Sequence, residues 1–264
     1  MRAQINGIAM TYRLDGAEGK PAVVLHHPLA ANSSIWDEVA EALAPDYRVV
    51  RFDARGHGET EASRAPYDFA TLSADVIALL DHLKLSRVHF IGLSMGGMVG
   101  QFLGLDHASR FKSLQLVATT SRIPPEGRPL WADRVKMARE KGMAAMPGPS
   151  LQRWLTDKNR QNAALVARMT TMISSTPVEG YAGWCQAIEH LDVTDRLKAI
   201  RLPTQVIVGA EDPGTPPAAA EVIHRNIPGS KLVIMPAVSH MICVEDAAGL
   251  MQHMAPFLAR HDAA

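Results

Sequence analysis

Cysteine is nearly missing from this chain: Cys185 and Cys243 are the only two among 264 residues. Two thiols cannot make a disulfide framework, and neither stands in a C-x-x-C or Cys/His spacing that would hold zinc. Both read as small core residues. The H-E-x-x-H string of metal-assisted hydrolysis is also absent, and no cofactor is expected. Net charge is missing too, since 27 Lys and Arg balance 27 Asp and Glu with no basic run. That balance argues against nucleic-acid and anionic-membrane partners. No stretch approaches the ~18 apolar residues of a membrane span. The opening Met1 to Ile8 has neither an extended apolar core nor a cleavage site, so a cytoplasmic location is the default expectation. A small molecule is then the expected partner, with homo-oligomerisation left open.

What is present is a pattern of short apolar runs punctuated by turns. With 47% hydrophobic and 20% charged residues, the chain is long enough for one sizeable α/β core plus an insertion. The most informative string is Gly92-Leu93-Ser94-Met95-Gly96, directly after the strand-like run Val88 to Ile91 and opening into a helical stretch. It fits G-x-S-x-G, in which a strand turns so sharply into a helix that the serine sits at the apex on a strained backbone. Such a turn exposes the Ser94 hydroxyl and aims the Met95 N–H and the helix N-terminus at an oxyanion.

A serine is a poor nucleophile without a base and an acid to orient that base. The strand-like run Pro203 to Gly209 is followed by Ala210-Glu211-Asp212-Pro213, and Lys231 to Met235 is followed by Pro236-Ala237-Val238-Ser239-His240. Ser94, Asp212 and His240 therefore stand at three strand ends in the order Ser, Asp, His. Asp192 and Asp195 are the alternatives for the acid. The segment after Leu114 to Ala118 has no carboxylate before Glu126, which disfavours an acid one strand earlier.

Alternating residues around Asn6-Gly7 signal a hairpin. Buried-strand runs at Ala22 to Leu25 and Tyr47 to Phe52 flank a helical pattern from about Ser34 to Leu43, and a second helix spans roughly Thr71 to Leu83, with Leu72, Val76, Leu79, Leu80 and Leu83 on one face. Strands alternating with helices imply a mostly parallel sheet covered on both faces, with ligands at the carboxyl ends of the strands. Residues 121–190 break the alternation with Pro124-Pro125, Pro147-Gly148-Pro149, several helical segments and three of the four tryptophans. They are expected to form a helical cap over a core of residues 1–120 and 191–264, excluding water and shaping a pocket.

Between the third strand and its helix lies His26-His27-Pro28-Leu29-Ala30. Proline cannot donate, so Leu29 and Met95 N–H are the pair that keeps two donors for an oxyanion, while His27 is expected to brace the loop. Asp53-Ala54-Arg55-Gly56-His57-Gly58 reads as a glycine-bearing turn in which Asp53 and Arg55 pair structurally.

With these residues in place, the chain resembles the α/β-hydrolase superfamily along nearly its whole length. The resemblance rests on His27 to Trp36, the D-x-R-G-H-G turn, the elbow, Gly209 to Asp212 and Ser239-His240. Within it the sequence is most similar to the 3-oxoadipate enol-lactonases, through Trp131-Ala132-Asp133-Arg134, Gly142-Met143, Arg153-Trp154, Gly180-Tyr181 and Asp192 to Ile200. His27-Pro28 departs from the Asn-Ser commonly expected there. The resemblance implies an eight-stranded, mostly parallel sheet with a helical cap, and serine-dependent hydrolysis of an ester or enol-lactone through an acyl-enzyme. Trp131, Arg134, Trp154 and Met241 are the expected substrate contacts. Arg134 or Arg153 would serve a substrate carboxylate. A C–C hydrolase of ring-cleavage diketones, a broad carboxylesterase or perhydrolase, and a binding receptor on the same scaffold are the rival readings.

Overall fold

The computed structural model describes residues 1–262. Eight strands, β1 (Arg2–Ile5), β2 (Ile8–Asp15), β3 (Ala22–His26), β4 (Arg48–Phe52), β5 (Val88–Leu93), β6 (Phe111–Val117), β7 (Thr204–Gly209) and β8 (Lys231–Met235), form one sheet in the order β1-β2-β4-β3-β5-β6-β7-β8. The β1–β2 and β2–β4 pairs are antiparallel and all the others parallel. Every residue of β3, β5 and β7 is buried, as a parallel sheet covered on both faces requires.

The covering helices are α1 (Asp37–Leu43), α2 (Phe69–His82), α3 (Met95–Asp106), α4 (Arg128–Lys141), α5 (Pro147–Trp154), α6 (Ala163–Ser174), α7 (Val178–Glu189), α8 (Pro217–Asn226), α9 (Ile242–Glu245) and α10 (Ala247–His261). Local chemistry fixes several starts: Asp68 caps α2 through the Thr71 N–H at 2.7 Å, Asn162 caps α6 through Leu165 N–H, and Asp246 caps α10 through Gly249 N–H. On α2, Leu72, Val76, Leu79 and Leu80 are the buried face. The first helical pattern is split: Ser33–Trp36 is a 3₁₀ turn begun by Asn32, and α1 follows it.

Helices α4 to α7 lie between β6 and β7, and the chain enters and leaves them through one neck. Ile123 N–H donates to Leu191 O and Val193 N–H to Ser121 O, both at 2.9 Å, and the Ser121 and Thr194 hydroxyls meet at 2.7 Å. Arg122 pairs with Asp192 at 2.8 Å and with Asp195 at 3.5 Å. The two alternative acids are thus committed to the neck. Helix α7 sits directly on the turn after β4: a Cβ on Gly180 would lie 1.9 Å from the Gly56 carbonyl oxygen, and Trp184 Nε1 donates to Arg55 O at 2.8 Å.

That turn corrects one expectation. Arg55 pairs with Asp75 of α2, through bonds of 2.8 and 2.5 Å, and not with Asp53. Asp53 instead accepts from the Ser33 and Glu59 N–H groups. A carboxylate two residues away cannot satisfy a buried guanidinium whose side chain runs out to a neighbouring helix. His57 closes the turn, with Nε2 accepting the Ala30 N–H at 3.0 Å. His27 Nε2 likewise accepts the Ala54 N–H at 2.9 Å, and its Nδ1 donates to Pro28 O at 2.8 Å.

His27 and His57 are fully buried and must stay neutral in these roles, because an imidazolium has no acceptor nitrogen, while the equally buried His26 donates Nδ1–H to His27 O at 2.9 Å. Burial, reinforced by the neighbouring rings, holds His26 and His27 down to about 3 and His57 to about 4. The unfolded chain, whose histidines titrate near 6.5, binds more protons than the folded one below that pH. The stability they contribute is therefore present above about pH 6.5 and is lost progressively down to about pH 3–4. Denaturant unfolding should show a loss on the order of 2 kcal/mol per histidine between pH 7.5 and 5. Equal stability at the two pH values would contradict the neutral brace.

Candidate active site

Ser94 has φ 56° and ψ −111°, a conformation that costs a non-glycine residue of order 1–3 kcal/mol unless its surroundings impose it. They do. Ser94 N–H donates to Val117 O at 2.8 Å, Thr119 Oγ1 donates to Ser94 O at 2.8 Å, and Met98 N–H begins the α3 ladder on that same carbonyl. The strand and helix approach so closely that a Cβ on Gly92 would lie 2.2 Å from Gly96 O, and one on Gly96 would lie 2.5 Å from His26 O. Only hydrogen fits at either place.

The loop after β7 delivers Asp212 and the loop after β8 delivers His240. Asp212 Oδ2 accepts from His240 Nδ1 at 2.8 Å and from Thr215 Oγ1 at 2.7 Å, while Oδ1 accepts the Gly214 and Thr215 N–H groups at 2.8 and 3.0 Å. Burial alone would raise the Asp212 pKa. The adjacent His240 and these hydrogen bonds more than offset it and hold the carboxyl below its ordinary range. Asp212 therefore stays ionised and fixes the imidazole with its proton on Nδ1, leaving Nε2 as the basic nitrogen.

Ser94 and His240 open on one cavity of about 90 Å³, walled on the other sides by Leu29, Trp131, Arg134, Arg153, Trp154 and Tyr181. Leu29 and Ser94 both line it. Among the described residues neither the Leu29 nor the Met95 N–H has a protein acceptor, which suits both to receive a developing oxyanion. The loop bearing Leu29 is held by the two braces described above, His57 on the Ala30 N–H and His27 on Ala54. Ala30 itself has φ 57°.

Trp131, Arg134 and Trp154 stand on the cavity wall as expected, but Met241 does not. It is fully buried, and its N–H donates to Trp154 O at 3.0 Å. Apolar burial beneath the wall outweighs its adjacency to His240. The guanidinium of Arg134 stacks 4.3 Å from the Trp131 ring centroid. Arg153 is half-buried, and among the described residues its side chain makes one hydrogen bond, a 3.5 Å approach to Ser150 Oγ. Burial, and then the nearby Arg134, lower its pKa to about 10, so it remains charged at neutral pH. Neither arginine has a carboxylate partner among the described residues, whereas Arg122, Arg139, Arg160 and Arg168 of the same segment are all ion-paired. Two guanidiniums without a carboxylate partner on one small cavity have the charge and donor geometry to hold an anion.

Among the described residues no group of His, Cys, Asp or Glu is arranged to hold a metal ion. Both cysteines are buried free thiols, with Cys185 pushed up to about 12 by burial. Among the described residues no helix is long and apolar enough to cross a membrane. Thr215, which bonds Asp212 and approaches His240 Nδ1 at 3.3 Å, was not singled out in the sequence, whereas His57 and Tyr181 stood in strings that carried the resemblance without showing the brace and the wall position that the fold gives them.

The geometry is shared with known proteins. Residues 21–247 match the model of the alpha/beta hydrolase fold. The chain is 32% identical to 3-oxoadipate enol-lactonase 2 of Acinetobacter baylyi over 90% of its own length and 88% of that protein's. It superimposes on the enol-lactonase of Burkholderia xenovorans LB400 with a TM-score of 0.94 at 35% identity, covering 98% of this chain and 100% of the other. A thermophilic esterase of Thermogutta terrifontis, solved with malate bound, matches with a TM-score of 0.92 at 27% identity over 99% of each chain. A family model matched over most of the chain and a relative above 30% identity leave one conclusion: the chain belongs to the alpha/beta hydrolase fold family.

Proposed function

We propose that this protein is a serine-dependent carboxylic ester hydrolase whose substrate is a carboxylate-bearing enol-lactone or ester. The observation that carries the reading is the strained Ser94 opening on the same cavity as His240, whose Nδ1 is held by an ionised Asp212.

His240 Nε2 takes the Ser94 proton as Oγ attacks the substrate carbonyl. The oxygen of the tetrahedral adduct then carries the negative charge and is met by the Leu29 and Met95 N–H groups, at the positive end of α3. Collapse of the adduct breaks the acyl C–O bond, and the imidazolium returns its proton to the departing enol or alcohol oxygen. Water, deprotonated by the same Nε2, attacks the acyl-Ser94 ester. Its collapse frees the acid and restores the serine. Asp212 stabilises the imidazolium in both halves and takes no proton.

Arg134 and Arg153 support the finer assignment. A substrate carboxylate between them would supply the counter-charge that the fold does not. The names of the Acinetobacter and Burkholderia relatives point to an enol-lactone, and malate in the Thermogutta esterase is itself a carboxylate ligand.

Ser94→Ala should abolish hydrolysis while the protein remains folded; loss of a triad nucleophile costs about six orders of magnitude elsewhere. More than a tenth of wild-type turnover would sink the assignment. His240→Ala should do the same, and the double variant should be little worse than either. Asp212→Asn should cost about 10⁴ through the wrong tautomer, whereas Asp192→Asn should leave turnover intact. Arg153→Gln should raise KM for a carboxylate-bearing lactone about 10- to 100-fold, the worth of one charge-assisted hydrogen bond, and affect neutral esters less. Equal losses on both would remove the anion site, and turnover of vinylogous diketones but not lactones would shift the reaction class.

A further inference from the structure

Glu245, at the end of α9, is outside the cavity and takes no part in the reaction written above. Yet its carboxylate is saturated by four donors from two separate parts of the chain. Oε1 accepts the Thr156 N–H at 2.7 Å, the Thr156 hydroxyl at 2.9 Å and Asn159 Nδ2 at 2.9 Å. Oε2 accepts the Ser239 N–H at 2.6 Å. The first three donors follow α5, the helix that ends in Arg153 and Trp154. The fourth immediately precedes His240.

The residues on either side of His240 continue the same seam. Ser239 Oγ lies 3.4 Å from Arg153 O, and Met241 N–H donates to Trp154 O at 3.0 Å. The backbone of the two cavity-wall residues is therefore tied to both neighbours of the base, with one carboxylate beneath the joint. Charge-assisted bonds of this length are the strong class of hydrogen bond. A half-buried carboxylate that gives up water for four protein donors fixes their relative positions far more tightly than packing alone.

We propose that Glu245 is a positioning residue that sets the anion-binding end of α5 at a fixed distance from His240, so that gripping a substrate carboxylate also places the scissile carbonyl on Ser94. The inference rests on the function proposed above. It assigns Glu245 a share in substrate discrimination: a neutral ester, which does not use Arg153, gains nothing from the joint. A displacement of about 1 Å at a positioning group can cost 10²-fold in rate.

The test compares two p-nitrophenyl esters, the monoester of glutarate, with its free carboxylate, and the neutral pentanoate. The wild-type enzyme should prefer the glutarate monoester. In Glu245→Ala the ratio of their kcat/KM values should fall about tenfold, mainly through KM for the anionic ester, after correction for the folded fraction. Glu245→Gln should fall between, because its amide oxygen can still serve Thr156 and Asn159 while its NH₂ opposes the Ser239 N–H. If Glu245→Ala fails to fold, Asn159→Ala and Thr156→Val, which remove single donors from the α5 side, should lower the same ratio by a smaller factor. A parallel loss on both esters would mean ordinary structural support and would overturn the proposal, as would an unchanged ratio in a folded variant. A wild-type enzyme with no preference for the anionic ester overturns the anion site itself and the coupling with it, so the two failures are told apart.

Discussion

The close approach of β5 to α3 is the constraint on which the rest depends. Hydrogen at the Cα of Gly92 and Gly96 allows the chain to reverse within a few residues, and that reversal places Ser94 at the apex with a positive φ. The same reversal leaves the Met95 N–H without a helical acceptor. One turn therefore presents the half-exposed hydroxyl and supplies half of the proposed oxyanion site. The conformational cost is offset by the Val117 and Thr119 bonds and by the buried sheet on either side, and it remains at the one residue that the chemistry requires to protrude.

Around that turn the cavity is assembled from the ends of five strands, β3, β5, β6, β7 and β8, and the loops after β3 and β7 are fastened by groups outside the proposed chemistry. Neutral imidazoles of His27 and His57 accept backbone N–H groups that a charged ring could not. Asp212 is anchored by Gly214 and Thr215 before it reaches His240. Helix α7 comes into backbone contact at Gly56 and Gly180, so the helices over the cavity rest directly on the turn that His57 closes. Among the described residues the Leu29 and Met95 N–H groups have no protein acceptor, and Arg134 and Arg153 on the cavity wall have no carboxylate partner. This separation of satisfied supports from unsatisfied contacts is what preorganisation means in this protein.

Much of this was legible in the sequence because it is local. Short apolar runs bounded by turn residues announced β3, β5, β7 and β8, and the Asn6-Gly7 dipeptide announced the first hairpin. Ser94, Asp212 and His240 could be ordered because each directly follows such a run. The failures share a cause, which is that pairing distance in the chain does not measure distance in the fold. Arg55 has a carboxylate two residues away and bonds instead to Asp75 on α2. Met241 adjoins His240 yet lies beneath the wall it was expected to line. Glu245 was not singled out in the sequence at all, because three of its four donors come from Thr156 and Asn159 of another segment.

The central claim is that the strained turn and the braced loop after β3 together prepare a site for a tetrahedral oxyanion on Ser94. A crystal structure of the enzyme inhibited by a phosphonate tests it most directly, because the phosphonyl oxygen stands in for that oxyanion. The account predicts phosphorus bonded to Ser94 Oγ and the oxygen within about 2.7–3.1 Å of both the Leu29 and Met95 nitrogens. An oxygen paired with Met95 and a side chain such as His27 or Asn32, or a phosphonate bonded elsewhere, would contradict it.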